Sequence, residues 1–519
     1  MKPSLASALT QLAAALASAL ALTGSSAEAA TRVVTNCLGD DTPGSLQYEA
    51  VHAVGGDTID LTQLACSKIS MQNEISVNKD LSFVGPGSGA FVVEGNHLGS
   101  VFAEYGYYDL HLQGLTITGG TGQRYQRGGG CIYSESSVEL DDVVVTGCSD
   151  RGSTACGGGL LAKDASIVDS KILGNSTFGT VFGGGGGVCI LGGDLQMTRS
   201  TISGNSALSE EGTRYISQGG GIFVSSNYET AAISYSEISD NTAAQGGGLS
   251  IISGIPNNGS VTIVDSTVSG NSATETAGGI YSMHKVNLVA STIAFNTSST
   301  RIHAPGHVTY AGLAVYGSMV YLSGAIIANN VGEQRPSDFS MFGGFSYITG
   351  DSNIVVATNI RLPVGTSSDD PQLLPLANNG GPTRTHALQE TSPAIDRGPK
   401  QTTQNYDQRG PGYPRIVGSV SDIGAFEYSE SIFSDGFDGR SASLTAALQA
   451  SSAEAPTKLA EMLKRARDNL RVALQFIARS RKPDGTLAFE VPLANFLTVE
   501  HGRITRDETY FDTKGRPCG

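Results

Sequence analysis

Residues 266–273 read STVSGNSA, and residues 200–207 read STISGNSA. Looser copies stand at 170–177 (SKILGNST), 236–243 (SEISDNTA) and 291–298 (STIAFNTS). Each copy is too short to bury a core of its own, so the phrase must draw its stability from the neighbouring copies. Its asparagine recurs at Asn175, Asn205, Asn241, Asn271, Asn296 and Asn329, with Cys148 in the equivalent slot of the first unit. The steps of 30, 36, 30, 25 and 33 residues vary while the phrase holds. Loops of variable length between fixed elements are what a solenoid allows.

A Gly-rich apolar stretch belongs to every unit: GGGCIY at 128, GGGLLA at 157, GGGVCI at 185, GGGIFV at 219, GGGLSI at 246, AGGIYS at 277 and AGLAVY at 311. The runs GIFV, VTIVDSTVS and VYLSGAII alternate or are continuously β-branched, and Gly or Asn interrupts them where a helix would continue. They are strands without hairpin signals between them. Successive copies therefore lie parallel, stacked at about 4.8 Å, and a parallel crossover within one sheet is right-handed. The expected fold is all-β, a right-handed parallel β-helix, with a small C-terminal α+β segment.

Stacking places like residues over like. It predicts an inward column of Val145, Ile172, Ile202, Ile238, Val268, Ile293 and Ile326, and an asparagine ladder at a corner whose left-handed backbone Asn tolerates. Ser170, Ser200, Ser236, Ser266 and Ser291 form a weaker ladder. Upstream, GDTIDLT, ISVNKDLSFVG, GAFVVEG and LHLQGLTITGG add three or four less regular coils. An open solenoid end needs covering, and residues 44–54 (GSLQYEAVHAV) supply a cap helix with Ser45 as N-cap and Leu46, Ala50, Val51 and Val54 on one face.

Composition agrees with strands and turns. Gly is 67 of 519 residues, nearly twice the usual share, and charged residues are only 16%, so a strand-rich chain with tight turns is favoured over a bundle. Net charge is −15, which argues against nucleic acid and against an anionic membrane surface as partner. From Ser441 onward 12 Lys/Arg face 9 Asp/Glu, and this change of sign marks a separate module.

The first thirty residues carry Lys2, an Ala/Leu-rich run and Ala27-Glu28-Ala29, the pattern of a secretory signal. Export permits disulfides among the seven cysteines. Cys37 with Cys66 and Cys148 with Cys156 are the expected pairs, while Cys131 and Cys189 read as small core residues. The organisation is a signal at 1–30, an N-terminal cap at 31–60, repeats at 61–365, a Pro-rich second cap at 366–428, a linker at 429–455 and a tail at 456–519. The tail combines a helix over 456–480, with Leu459, Leu463, Leu470, Leu474 and Ile477 at helical spacing, and then strands.

Several of these stretches resemble known families. The pairing of GGG-I/L with G-N-S or F-N-T is similar to the repeats of polymorphic outer-membrane proteins and other surface proteins with the pectin-lyase-like solenoid. VTNCLGDDTPGSLQYEAVHAVGGDTIDLT resembles the opening segment of exported bacterial β-helix proteins, departing from it at Gln47 and Tyr48. DPQLLPLANNGGPTRTHALQETSPAIDRG, followed by DQRGPGYPR and DIGAFEY, resembles the choice-of-anchor Q domain, through Asp370-Pro371, Asn379 to Thr383, Ser392 to Asp396, Asp407 to Gly410 and Asp422 to Glu427. IFSDGFD at 432 is similar to a short terminal motif of some exported bacterial proteins, and the strands of the tail are similar to the closing half of SnoaL-like folds. Together the resemblances imply export and display at an extracellular or outer-membrane surface, with no transmembrane segment once the signal is removed. They imply no reaction.

Right-handed β-helices also host polysaccharide lyases and hydrolases. The position before the repeated serine reads Asp142, Asp169, Arg199, Tyr235, Asp265, Ala290 and Ser323. Asp142 and Asp169 on adjacent coils approach the spacing of a retaining glycosidase pair, with Arg199 one coil on. The same acids beside Arg199 could hold Ca²⁺ for β-elimination from an acidic sugar. A solvated corner with stacked opposite charges is the simpler reading. Asp369 and Asp370 are a second candidate for Ca²⁺, against a turn role before Pro371. His303 and His307 read as a polar loop, because Pro305 and Gly306 prevent the helix a metal pair needs. The expectation is therefore an adhesin-like β-helix whose loops bind an extracellular polysaccharide or protein. A carbohydrate-active enzyme using the Asp142/Asp169 region is the alternative.

Overall fold

The computed structural model describes residues 29–429, apart from positions 98, 123–127, 211–215, 226–229, 253–258, 300–309, 334 and 345, and the backbone of further strands between 470 and 518. Most of the expected signal, His303, His307 and nearly all of the linker lie outside the described residues. The chain divides into two units, residues 1–428 and 429–519.

The first unit is a parallel β-solenoid of about 10 turns. One regular coil runs through Ile280–Ser282 and Lys285–Val289, bends at Ser291, continues as Thr292–Ala294, turns at Asn296 and ends in Thr297–Ser298. These strands enter three sheets, of ten, 22 and eight strands, the 22-stranded sheet receiving both middle strands of every coil. Among the described residues of this unit the strands pair in parallel except Val331–Gly332 against Arg335–Pro336, and isolated antiparallel bridges join Leu373 to Leu388, Ala377 to Thr385 and Tyr406 to Pro414. The period-two pattern aims alternate side chains inward. One inward column is Ile132, Leu160, Val188, Ile222, Leu249, Ile280, Leu313 and Phe339. Each fully buried Ile or Leu of this kind contributes about 1.5–3 kcal/mol relative to exposure.

The second inward column runs Val145, Ile172, Ile202, Ile238, Val268, Ile293 as expected, but its next rung is Ile327, not Ile326, with Val355 beyond it. The ladder shifts likewise: its last rung is Asn330, not Asn329. Each rung makes the same bonds. Asn271 Nδ2 donates to Asn296 Oδ1 at 2.9 Å and to the Ile238 carbonyl at 2.9 Å, and Asn271 Oδ1 accepts from Asn241 N at 3.0 Å and Nδ2 at 2.9 Å. At about 1 kcal/mol net per hydrogen bond, the ladder is a major term for every coil. It stops on a carboxylate: Asn330 N and Nδ2 both donate to Asp338 Oδ1 at 2.8 Å, while Asp338 Oδ2 accepts from Ala357 N.

Two local expectations change. The ladder asparagines do not carry the left-handed backbone; the residue before each does, with φ of 61° at Gly174, 67° at Gly204, 56° at Asp240, 67° at Gly270, 57° at Phe295 and 61° at Asn329. Asn329 thus belongs to the left-handed slot, which is why the ladder passes to Asn330. The Gly-rich triplets press against the backbone of the next coil, and their last glycine also against the ladder. A Cβ at Gly247 would lie 2.3 Å from the Ser272 carbonyl oxygen, and one at Gly248 would lie 2.8 Å from the Gly279 oxygen and 3.0 Å from Asn271. Close backbone approach leaves no volume for a side chain.

The cap helix is Leu46–His52, with Ser45 Oγ accepting from Tyr48 N at 3.1 Å. Leu46 and Ala50 are buried against the core, but Val51 and Val54 are exposed, because the helix ends before Val54 and Val51 faces away. At the far end, Ile360 and Leu362 pack against the core. The segment expected there as the second cap instead runs back along the side of the shaft as an irregular strap. Arg384 binds Glu237, His386 Nε2 meets Ser269 Oγ at 2.8 Å, Thr267 Oγ1 donates to Gln408 Oε1 at 2.6 Å, and Ala425 N donates to Thr292 Oγ1 at 3.0 Å. Leu373, Leu388, Ala394, Ile423 and Phe426 cover Ala294, Ile326, Ala328 and Ile354. Ile326 points out to meet this strap, which accounts for the displaced rung.

Three disulfides tie the N-terminal coils. Cys37–Cys66 is as expected, but Cys148 pairs with Cys131 and Cys156 pairs with Cys189. Cys131 and Cys189, read as core residues from their apolar neighbours, are bridged because stacking brings sequence-distant positions together. In the second unit, Leu470–Arg481 is a strand, antiparallel to Leu487–Glu500, which pairs in turn with Arg503–Arg506. The helix expected to reach 480 therefore does not extend past 469. Leu470, Val472, Leu474, Phe476 and Ala478 alternate with Arg471, Gln475 and Arg479, a period of two that outweighs the helical spacing.

Candidate functional site

The corner column before the serine ladder has left-handed backbone throughout: φ is 50° at Asp142, 48° at Asp169, 49° at Arg199, 53° at Tyr235, 43° at Asp265, 45° at Ala290 and 65° at Gly324. Gly324, not Ser323, completes it, following the shift of the last coil. Such a conformation costs a non-glycine residue about 1–2 kcal/mol, and it turns every side chain of the column outward.

The structure brings Asp142, Asp169 and Arg199 to successive coils of this edge. Asp142 accepts from Ser88 N at 3.1 Å and Ser88 Oγ at 2.6 Å. Both oxygens of Asp169 are taken by Arg199, from Nε at 2.7 Å and Nη2 at 2.6 Å, with the two side chains 41% and 38% exposed. Each acid is already engaged, and Asp169 is held by a bidentate fork from Arg199 that offsets its charge.

Farther along, the same column passes beneath the strap. Asp265 is fully buried, neither of its oxygens has a hydrogen-bond partner, and Arg415 Nη1 lies 3.6 Å away. Arg415 Nη2 instead donates to the Asp422 and Gly424 carbonyls at 2.6 and 2.8 Å. Burial outweighs the attraction of Arg415 and pushes the Asp265 carboxyl up to about 8, so it carries its proton at neutral pH. Burial likewise raises Glu427 to about 8 and Asp422 to about 6. Their oxygens accept backbone N–H groups, Glu427 from Val417 and Asp422, and Asp422 from Asp396 and Tyr428. Arg409 pairs with Asp407 and lies between the rings of Tyr413 and Phe426, 4.1 and 3.9 Å from their centroids. The DQRG and DIGAFEY residues thus knit the strap to itself and to the shaft.

Asp369 and Asp370 lie in exposed turns, Asp369 bonded to Ser367 and Asp370 to Gln372 N. Among the described residues no group of three or more His, Cys, Asp or Glu is placed to hold a metal ion, and no helix is long and apolar enough to cross a membrane.

The outer faces of the sheets differ in chemistry. Along the 22-stranded sheet the outward residues are mixed, with Ser166, Gln196, Thr198, Ser234, Thr262 and Asn287 standing among Val168, Ala232, Val264, Val289 and Tyr321. On the ten-stranded sheet the outward register is Ala103, Tyr133, Leu161, Cys189, Phe223, Ser250, Tyr281, Ala314 and Ser340. Rings from neighbouring turns join it. Tyr105 lies 5.6 Å from Tyr133, Phe182 lies 5.2 Å from Phe223, and Phe342 gathers Tyr281, Tyr310 and Tyr316 at 6.3, 5.4 and 5.5 Å. Tyr133 stands on this face, whereas Tyr235 belongs to the corner column. The middle residue of each post-glycine triplet (CIY apart, as in GIFV or GIYS) was the available signal for an apolar outer strip.

At the N-terminal end of the strip the chain makes a turn, Tyr105-Gly106-Tyr107-Tyr108. Tyr107 has φ 68° and Gly106 φ 108°. Tyr107 is 75% exposed and Tyr108 37% exposed.

No family model, curated protein or solved structure matches this chain.

Proposed function

We propose that this protein is an exported β-helix shaft, displayed outside the cell, that binds an extracellular polysaccharide through the outer face of its ten-stranded sheet. The observation that carries the reading is the ring cluster on the outer side of the ten-stranded sheet, in which Tyr133, Phe223 and Tyr281 are buried beneath neighbouring rings while Tyr316 stays exposed. Aromatic rings offer broad apolar faces with polar tips, a surface suited to the C–H faces of sugar rings. Three disulfides fit an oxidising compartment, and the shaft supplies length without needing a catalytic centre. The choice-of-anchor Q resemblance supports display, with the strap as the segment that bears it. The arginine fork on Asp169 weighs against the hydrolase or lyase alternative, since an acid so engaged is a poor proton donor or base.

The test is retention of the full chain on insoluble polysaccharides, with Phe342→Ala and Tyr316→Ala as surface variants and fractionation of the expressing cells to locate the protein. Retention lowered several-fold by either variant is the expected result. A chain that stays in the soluble fraction with every polymer overturns the reading.

A further inference from the structure

Tyr107 sets a bulky ring in left-handed backbone and leaves it in solvent, so neither packing nor burial repays the conformation. Strain held without a structural return points to function when the surroundings enforce it, and here they do. Tyr105 N donates to the Val77 carbonyl at 2.9 Å, and Tyr105 Oη donates to Glu74 Oε1 at 2.9 Å. Gly106 N donates to Glu135 Oε2 at 3.3 Å, Tyr108 N to Glu104 Oε1 at 2.8 Å, and Asp109 N to Asp80 Oδ1 at 2.9 Å. Acids from the coil before, the same coil and the coil after therefore fix the turn from both sides. The Tyr108 ring lies against Gly106, where a Cβ would come 3.0 Å from Tyr108 Cε2.

We infer that this turn is a preformed platform for a sugar ring of an uncharged hexose polymer; the inference rests on the polysaccharide-binding reading above and deepens it. The exposed faces of Tyr107 and Tyr108 take the apolar face of the ring, as aromatic platforms take flat ligands elsewhere. The exposed carboxylates of Asp80 and Asp109, with Glu135 beside them, accept hydrogen bonds from ring hydroxyls. The same carboxylates repel a uronate chain. The nearby Lys79 is turned away, its ammonium donating to the Val51 and Ala53 carbonyls at 3.0 Å each, so it does not offset that repulsion.

The experiment titrates the full chain calorimetrically with an uncharged β-linked glucose hexamer, a galacturonate hexamer and a glucosamine hexamer. The uncharged hexamer is expected to bind and the uronate to bind at least tenfold more weakly. Tyr107→Gly should lower affinity for the uncharged hexamer about tenfold while leaving the melting temperature unchanged or raised, since glycine accepts the left-handed backbone. Tyr107→Phe should retain binding within threefold, and Tyr321→Ala, an exposed ring on the other sheet, should change nothing. Unaltered binding in Tyr107→Gly, or preference for the uronate or glucosamine hexamer, overturns the platform while leaving the polysaccharide reading in place. No binding of any hexamer, together with no retention on insoluble polymers, overturns both.

Discussion

Arg415 Nη1 stands 3.6 Å from Asp265 Oδ1, with both side chains sealed from solvent and no hydrogen bond between them. The pair joins strap to shaft, yet its two members are not equivalent. Asp265 is held protonated by burial, whereas Arg415 donates to two carbonyls. Asp265→Asn should therefore cost no more than about 1 kcal/mol at pH 7, while Arg415→Met, which strips those carbonyls of their donor, should cost about 3 kcal/mol or more. Denaturant unfolding of the two variants checks the asymmetry; equal losses would contradict it.

The buried acids set a pH dependence. Asp265 and Glu427 titrate near 8 and Asp422 near 6 in the folded chain, all above the values of about 4 they take when unfolded. Groups raised in this way stabilise fully below about pH 4 and lose that contribution as pH rises through 6 and then 8. Among these groups the net effect is a folded state weaker at pH 9 than at pH 6, by a few kcal/mol. Melting temperatures between pH 5 and 9 measure it, and Asp265→Asn should flatten the part of the curve near 8.

Adjacent asparagines in the last coil should behave oppositely. Asn330→Ala removes donors to Asp338, Ile293 and Ala328 and leaves Asn296 N–H without its acceptor, a loss of about 2–4 kcal/mol. Asn329→Gly suits the left-handed backbone at φ 61° and should change stability by no more than about 0.5 kcal/mol. If Asn329 were the rung, the order of the two effects would reverse.

Disulfide mapping by non-reducing proteolysis and mass spectrometry should find Cys131 joined to Cys148 and Cys156 to Cys189. These bridges close loops with sequence separations of 17 and 33. Replacing the Cys156/Cys189 pair by serine should lower stability by about 3–4 kcal/mol in the chain-entropy account.

The exposed corner pair should matter little. Asp169→Asn breaks only the solvent-facing fork to Arg199, worth at most about 1 kcal/mol. Polymers incubated with the wild-type chain and with the variant should show the same count of reducing or unsaturated ends; a release that depends on Asp169 would revive the lyase or hydrolase alternative.

Repetition made the shaft legible. Where STISGNSA and STVSGNSA recur, the columns and ladder follow from stacking alone. The last coil departs because GAIIANN offers two isoleucines and two asparagines in succession, and the choice between them is made by Gly324 in the corner and by the strap that Ile326 meets. The strap itself has no period, so no sequence pattern specifies its path along Glu237, Thr267, Thr292 and Ile326, and its Pro-rich composition alone suggests an end cap. Cys148 could be paired only once coil geometry was known. The Tyr107 turn carries no sequence signal, because what distinguishes it is backbone sign and exposure, neither of which residue type reveals.

A stack in which each turn leans only on its neighbours comes apart a turn at a time. From Glu237 to Ile354 that freedom is gone, because one continuous segment grips four further turns at Thr267, Thr292, Ile326 and Ile354. Pulled along its length, the molecule gives way first among the turns before Tyr235, peeling singly between their sulfur bridges, and the belted turns let go as one block.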